Sequence, residues 1–158
     1  MTLIKIGKIV NTHGIKGELR LLSKFPYKDK VFINNMTIYI DKKDKEIINT
    51  YRKHKNFDMI TLKDYNNINE VLKYKGKNVY VNDSDIKLDN NKYLDEELIG
   101  LNVIYEDNNK GTIVDIERYD KTVLFNIKNN DKEYLIPYND SIIDKIDINN
   151  KRIYIKDI

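Results

Sequence analysis

Cysteine is absent from this chain, which excludes disulfides and thiolate metal sites and is compatible with a reducing compartment. Histidine is nearly as scarce. His13 and His54 are the only two, they are expected in different loops, and no His/carboxylate group has metal-ligand spacing, so no metal is expected. No apolar run approaches the roughly 20 residues that a membrane-spanning helix needs, so no membrane association is expected. The amino-terminal Met1-Thr-Leu-Ile-Lys has neither the apolar stretch nor the small-residue cleavage site of a secretory signal, and a cytoplasmic location follows by default. Tryptophan is also missing, so several of the 12 tyrosines must fill core volume.

Catalytic signatures are missing as well. There is no P-loop and no dinucleotide fingerprint; Gly14-Ile-Lys-Gly17 has two glycines but lacks the Lys-Ser/Thr completion. Ser23, Ser84 and Ser141 have no adjacent base to activate them, and the neighbouring Glu96 and Glu97 point different ways on any regular element. No catalytic residue, cofactor or enzymatic activity is expected.

What is present is enough apolar material for a core, 41% hydrophobic against 34% charged, spread over 158 residues that fit one ordinary domain or two small ones. The net charge of +3 hides an asymmetry. Residues 1–86 carry 17 Lys and Arg against 10 Asp and Glu, whereas residues 87–158 carry 11 against 15. A basic first half suits phosphate and an acidic second half suits a basic protein, although two solvated surfaces with a chance imbalance would look the same.

Short alternating runs bounded by polar turns dominate, the pattern of half-buried antiparallel strands. They cover Leu3 to Val10, Glu18 to Leu22, Met36 to Ile40, Ile47 to Arg52, Phe57 to Leu62 and Asn78 to Val81. Between them the charged turns Lys42-Lys43-Asp44-Lys45 and Lys53-His54-Lys55-Asn56 are predicted. One helix is predicted after Asn67, with Ile68, Val71 and Leu72 on its apolar stripe and Gly76 closing it. The polar stretch 85–91 reads as a linker between a first domain over 1–84 and a second over 92–158. In the second, Tyr93 to Gly100 predicts a helical turn. Strands follow around a turn at Asp107 to Gly111, through Val123, Phe125 and Ile127, and through Tyr134 to Tyr138, with Ile153 and Ile155 in a last strand. Pro137 cannot donate to a ladder and marks a strand end or an edge. Strands this short leave many unpaired edges, and closure into barrels is the usual remedy. The fold class is therefore all-β, two small β-barrels with short helices.

The run Ile6-Gly-Lys-Ile-Val-Asn-Thr-His-Gly-Ile-Lys-Gly-Glu-Leu-Arg20 resembles the opening signature of the RimM family of ribosome maturation factors. Arg52-Lys53-His54-Lys55 is similar to that family's basic turn, and Asn67 to Tyr80 to its helix, "YKGK" and strand. In the second half Tyr93 to Gly100, the Gly111 hairpin and Leu135-Ile-Pro-Tyr138 resemble a PRC-barrel, and Asp147 to Ile155 the family's close. The resemblance implies a translation-factor-like first barrel, followed by the PRC-barrel. It implies a non-catalytic chaperone that binds the head of the immature small ribosomal subunit and supports 16S rRNA processing. The second barrel would contact the nineteenth protein of that subunit. The competing readings are an RNA-modifying enzyme, for which the chain offers no candidate residue, and a general translation factor, which would prefer mature subunits. A monomer is expected.

His13, Lys16, Arg20, Arg52, Lys53 and Lys55 are the candidate RNA or ribosome contacts; the other readings are a loop hydrogen-bonder for His13, exposed cations with no specific contact for Lys16 and Arg20, and a solvated turn for the Arg52–Lys55 cluster. Gly14, Gly17, Gly100 and Pro137 are expected to shape turns, with a slim loop near RNA as the other reading of the first two. Tyr93 and Leu94 stand where the family often has two aromatics that bind the ribosomal protein. Leu94 departs from that pattern, which implies a weaker or rearranged contact.

Overall fold

Alternating residues become twelve strands in the computed structural model, which describes residues 1–156. They form two units, Met1–Asp89 and the chain from Asn90 onward. The first unit holds β1 (Leu3–His13), β2 (Glu18–Leu22), β3 (Thr37–Ile40), β4 (Asp44–His54), β5 (Phe57–Leu62) and β6 (Asn78–Asn82). All neighbours are antiparallel, and the order β1-β2-β5-β4-β3-β6 closes on itself. Closure requires β1 to serve both edges. Its first half pairs with β6 and its second with β2, and register shifts at Lys5/Gly7 and Ile9/Asn11 bend it between them. The apolar phase of each strand points inward, and Ile6, Ile9, Leu19, Leu21, Ile38, Ile40, Ile60, Val79 and Val81 are buried. Each contributes about 1.5–3 kcal/mol of burial.

Two predicted turns are tighter than their composition suggested. Asp44 and Lys45 belong to β4, and so do Lys53 and His54; only Lys55 and Asn56 turn, with Lys55 at φ 55°. Ladder pairing with β5, His54 opposite Phe57, outweighs the turn-like polarity of these residues. The helix is also shorter than its stripe implied. Asn67 caps it by accepting from the Asn69 amide at 2.8 Å, but α1 covers only Ile68–Val71 and continues as a 3-10 turn over Leu72–Tyr74. The tighter turn leaves Leu72 48% exposed and buries Tyr74 instead. The Tyr65 and Tyr74 hydroxyls both donate to the Glu46 carboxylate, so Tyr74 fills core space with its polar end satisfied and Tyr65 sits half-buried beside it.

In the second unit α2 (Asp95–Leu98) precedes β7 (Asn102–Tyr105), β8 (Asn108–Arg118), β9 (Val123–Asn129), β10 (Lys132–Pro137), β11 (Ile143–Asp147) and β12 (Arg152–Ile155). The order is β10-β9-β8-β7-β12-β11, antiparallel except for β12 beside β7. Val103, Ile113, Phe125, Ile127, Ile136, Ile153 and Ile155 meet in one core, with Ile143 and Ile146 packed against it. Every strand thus feeds the same interior, and β10 and β11 form the two ends of the sheet order. The turn predicted over 107–111 shrinks to Glu106-Asp107, both at positive φ, while Gly111 sits inside β8. A Cβ on Gly111 would lie 2.6 Å from the Lys128 carbonyl oxygen, so the bulged strand approaches β9 closely there. Gly100 follows α2 at φ 99°, and Pro137 is the last residue of β10, at the end of the sheet order.

Candidate nucleic-acid interface

The register of β2, β5 and β4 puts Arg20, Met59 and Arg52 in one cross-strand row, with His54 and Phe57 paired one row further on. Partners in a ladder share a face, so these side chains stand together on the outside of the first barrel, opposite the inward Leu19, Leu21 and Ile60. Met59 lies beneath them and is fully buried. His13, at the end of β1, joins the group from the far side of β2, and its ring centroid is 5.8 Å from that of His54. Arg20 Nη2 is 2.6 Å from His13 Nδ1, so the His13 nitrogen accepts while the guanidinium lies 5.0 Å over the Phe57 ring. The buried Nε of Arg20 has no hydrogen-bond partner among the described residues.

Glu18 is the acidic member of this face. Arg52 donates to it twice, Nε to Oε2 at 2.9 Å and Nη2 to Oε1 at 2.7 Å. Those bonds hold the Glu18 carboxyl below its ordinary value, helped by the charges of Arg52 and the two histidines and opposed by burial. Partial desolvation lowers His54, and the nearby Arg52, Lys55, His13 and Arg20 lower it further. The face is thus a dense set of cations and imidazoles around one carboxylate.

Arg52, Lys53 and Lys55 do not form the single patch that their adjacency suggested. Strand alternation sends Lys53 to the other face, where it lies 3.7 Å from Asp58. Asp58 is fully buried, accepts from the Tyr51 hydroxyl at 2.6 Å and pairs with Lys28 at 2.8 Å. Lys53 therefore has a structural partner. Lys55 is exposed at the hairpin tip, Lys16 is exposed in the turn after β1, and neither forms an ion pair among the described residues.

That turn is held from behind. Gly14 and Gly17 have φ of 75° and 89°, and a Cβ on Gly17 would meet the Asn67 carbonyl oxygen at 3.1 Å. The Ile68 amide donates to the Ile15 carbonyl at 2.9 Å, which ties the turn to the start of α1. His54, Glu18 and Phe57 were not singled out from the sequence. The signal was the alternation of β4 and β5 itself, which places His54 with Arg52 once the strand is extended to residue 54.

In the second unit Tyr93 is half-buried and packs against the core, and Leu94 is buried. Asp95 in α2 pairs with Arg118 at the end of β8. Among the described residues no three His, Cys, Asp or Glu side chains gather as metal ligands, and no helix is long and apolar enough to cross a membrane.

A closed six-stranded barrel followed by a curled six-stranded sheet defines a tandem β-barrel protein. Residues 4–86 match the RimM N-terminal domain and residues 95–157 the RimM PRC barrel domain. The chain belongs to the RimM family. It is 35% identical to the ribosome maturation factor RimM of Shouchella clausii, over 94% of this chain and 90% of that protein. It is 36% identical to the protein of the same name from Bacillus mycoides, over 95% and 92%. Among solved structures it is similar to the 16S ribosomal RNA processing protein RimM of Pseudomonas aeruginosa, with 23% identity, 98% and 97% coverage and a TM-score of 0.48.

Proposed function

We propose that this protein is a ribosome maturation factor. In this reading it binds the head of the immature small subunit in the cytoplasm and supports 16S rRNA processing as an assembly chaperone, with no bond made or broken. The observation that carries this is family membership along nearly the whole chain, both domain models matching in order. The division of labour follows from charge. The face bearing His13, Arg20, Arg52 and His54, with Lys16 and Lys55 at its turns, suits the phosphates of 16S rRNA. The acidic second unit suits a basic ribosomal protein, the nineteenth of the small subunit, with Tyr93 as the aromatic anchor.

Gradient fractionation of a cell lysate tests the reading. The protein is expected to co-sediment with small-subunit precursors and to be scarce on mature subunits. Sedimentation only at the top of the gradient contradicts ribosome association, and a preference for mature subunits favours a general translation factor.

A further inference from the structure

Ile15 is 81% exposed, yet it sits in a turn with little freedom to hide it. Gly14 and Gly17 take left-handed backbone, the Asn67 backbone leaves no room for a Cβ at Gly17 without a shift, and the Ile15 carbonyl accepts from the Ile68 amide at 2.9 Å. Asn67 is itself fixed by its cap to Asn69. The β-branched side chain has few rotamers to lose on docking. It is therefore presented outward on a rigid support, which differs from an apolar residue on a loose tail.

Its surroundings select the occupant. Lys16 follows it, and His13 precedes it by two residues, with His54 and Arg20 in contact with His13. The nearby carboxylate, Glu18, is taken up by Arg52. Cations around an apolar tip disfavour a basic protein and suit a polyanion that also offers apolar faces, as RNA does in its bases and riboses.

We infer that Ile15 is a wedge that packs against an unstacked base or ribose face of the RNA whose phosphates the neighbouring cations hold. This rests on the RNA reading above and adds a contact of a different kind to it. Apolar wedges beside cationic contacts act on base steps in this way in other nucleic-acid-binding proteins.

Filter binding of the full chain to transcribed 16S rRNA, over a salt series, tests the inference. Ile15→Ser is expected to weaken binding about tenfold at every salt concentration, because buried apolar area is lost without any phosphate contact. The slope of log affinity against log salt stays unchanged, whereas Lys16→Ala lowers it by about one. Ile15→Val keeps most of the affinity. Ile15→Ser binding as tightly as wild type overturns the wedge, and so does a loss accompanied by a shallower slope. Unaltered RNA affinity with lost retention of small-subunit proteins places the contact on protein and overturns it too. If the wild-type chain shows no salt-dependent binding, the RNA reading itself fails, and the wedge with it.

Discussion

Glu18 and Arg52 meet in a two-bond pair across β5, though 34 residues separate them in sequence. The pair cancels one of the positive charges that the outer face offers. Glu18→Gln is expected to release Arg52 for phosphate, tightening binding to 16S rRNA and steepening the salt slope by about one. Filter binding measures both, and an unchanged slope shows that Arg52 does not reach RNA.

The same pair sets an acid limit. The Glu18 carboxyl lies below its unfolded value of 4.5, so the unfolded chain binds its proton first. Stability from this group is complete above that value and is lost as pH falls through the folded one. His54 has the same sign at higher pH, because its folded value lies below 6.5. Urea midpoints are expected to fall in two stages on acidification. His54→Gln removes the first stage and Glu18→Gln flattens the second.

Tyr51 gives its hydroxyl proton to the hydrogen bond with buried Asp58, and burial together with that partner pushes it up to about 12. Tyr51→Phe leaves the carboxylate short of a donor, and a loss of about 1.5–3 kcal/mol is expected in chemical denaturation. For a raised tyrosine the stabilisation is present below pH 10 and disappears as pH climbs through the folded value. In absorbance titration Tyr51 should add to the late-ionising tyrosines with a contribution near pH 12 that is lost in the variant, beside the raised Tyr65, Tyr74, Tyr119 and Tyr134 that both share.

Gly14 and Gly17 separate conformational from steric demand. Both have positive φ, but a Cβ at Gly14 meets nothing within 4 Å, while one at Gly17 meets Asn67 backbone. Gly14→Ala is expected to cost about 1–2 kcal/mol from its left-handed backbone alone. Gly17→Ala should cost more, and thermal melts that rank them the other way contradict the packing of this turn on α1.

Tyr93→Ala in the full chain should weaken binding to the basic ribosomal protein by about 2 kcal/mol or more while leaving 16S rRNA affinity intact. Isothermal titration with each partner checks the assignment, and a loss confined to RNA reverses it.

Most strands were legible because alternation is a direct consequence of a one-sided core, as at Leu19/Leu21 and Phe125/Ile127. Turn lengths were not, because polar residues such as Lys53 and His54 or Asn108 and Asn109 look like turns yet sit comfortably on solvent-facing ladders. The strand Ile143–Asp147 was not anticipated, since Asp144 and Lys145 interrupt its apolar phase, and register shifts there move the pairing. The site was legible by composition and not by geometry. Arg20, His13 and Arg52 were singled out as candidate contacts from residue type alone, and only three-dimensional register shows that Glu18 pairs with Arg52, that Lys53 turns away to Asp58, and that His54 joins His13.

The strand order also sets a sequence of events during synthesis. The first barrel has all its staves once Asn82 has emerged and can shut while translation continues. In the second unit β12 lies between β7 and the edge strand β11, so β11 has no sheet partner until residues 152–155 arrive. The nascent chain thus carries a closed first barrel before its second sheet can be completed.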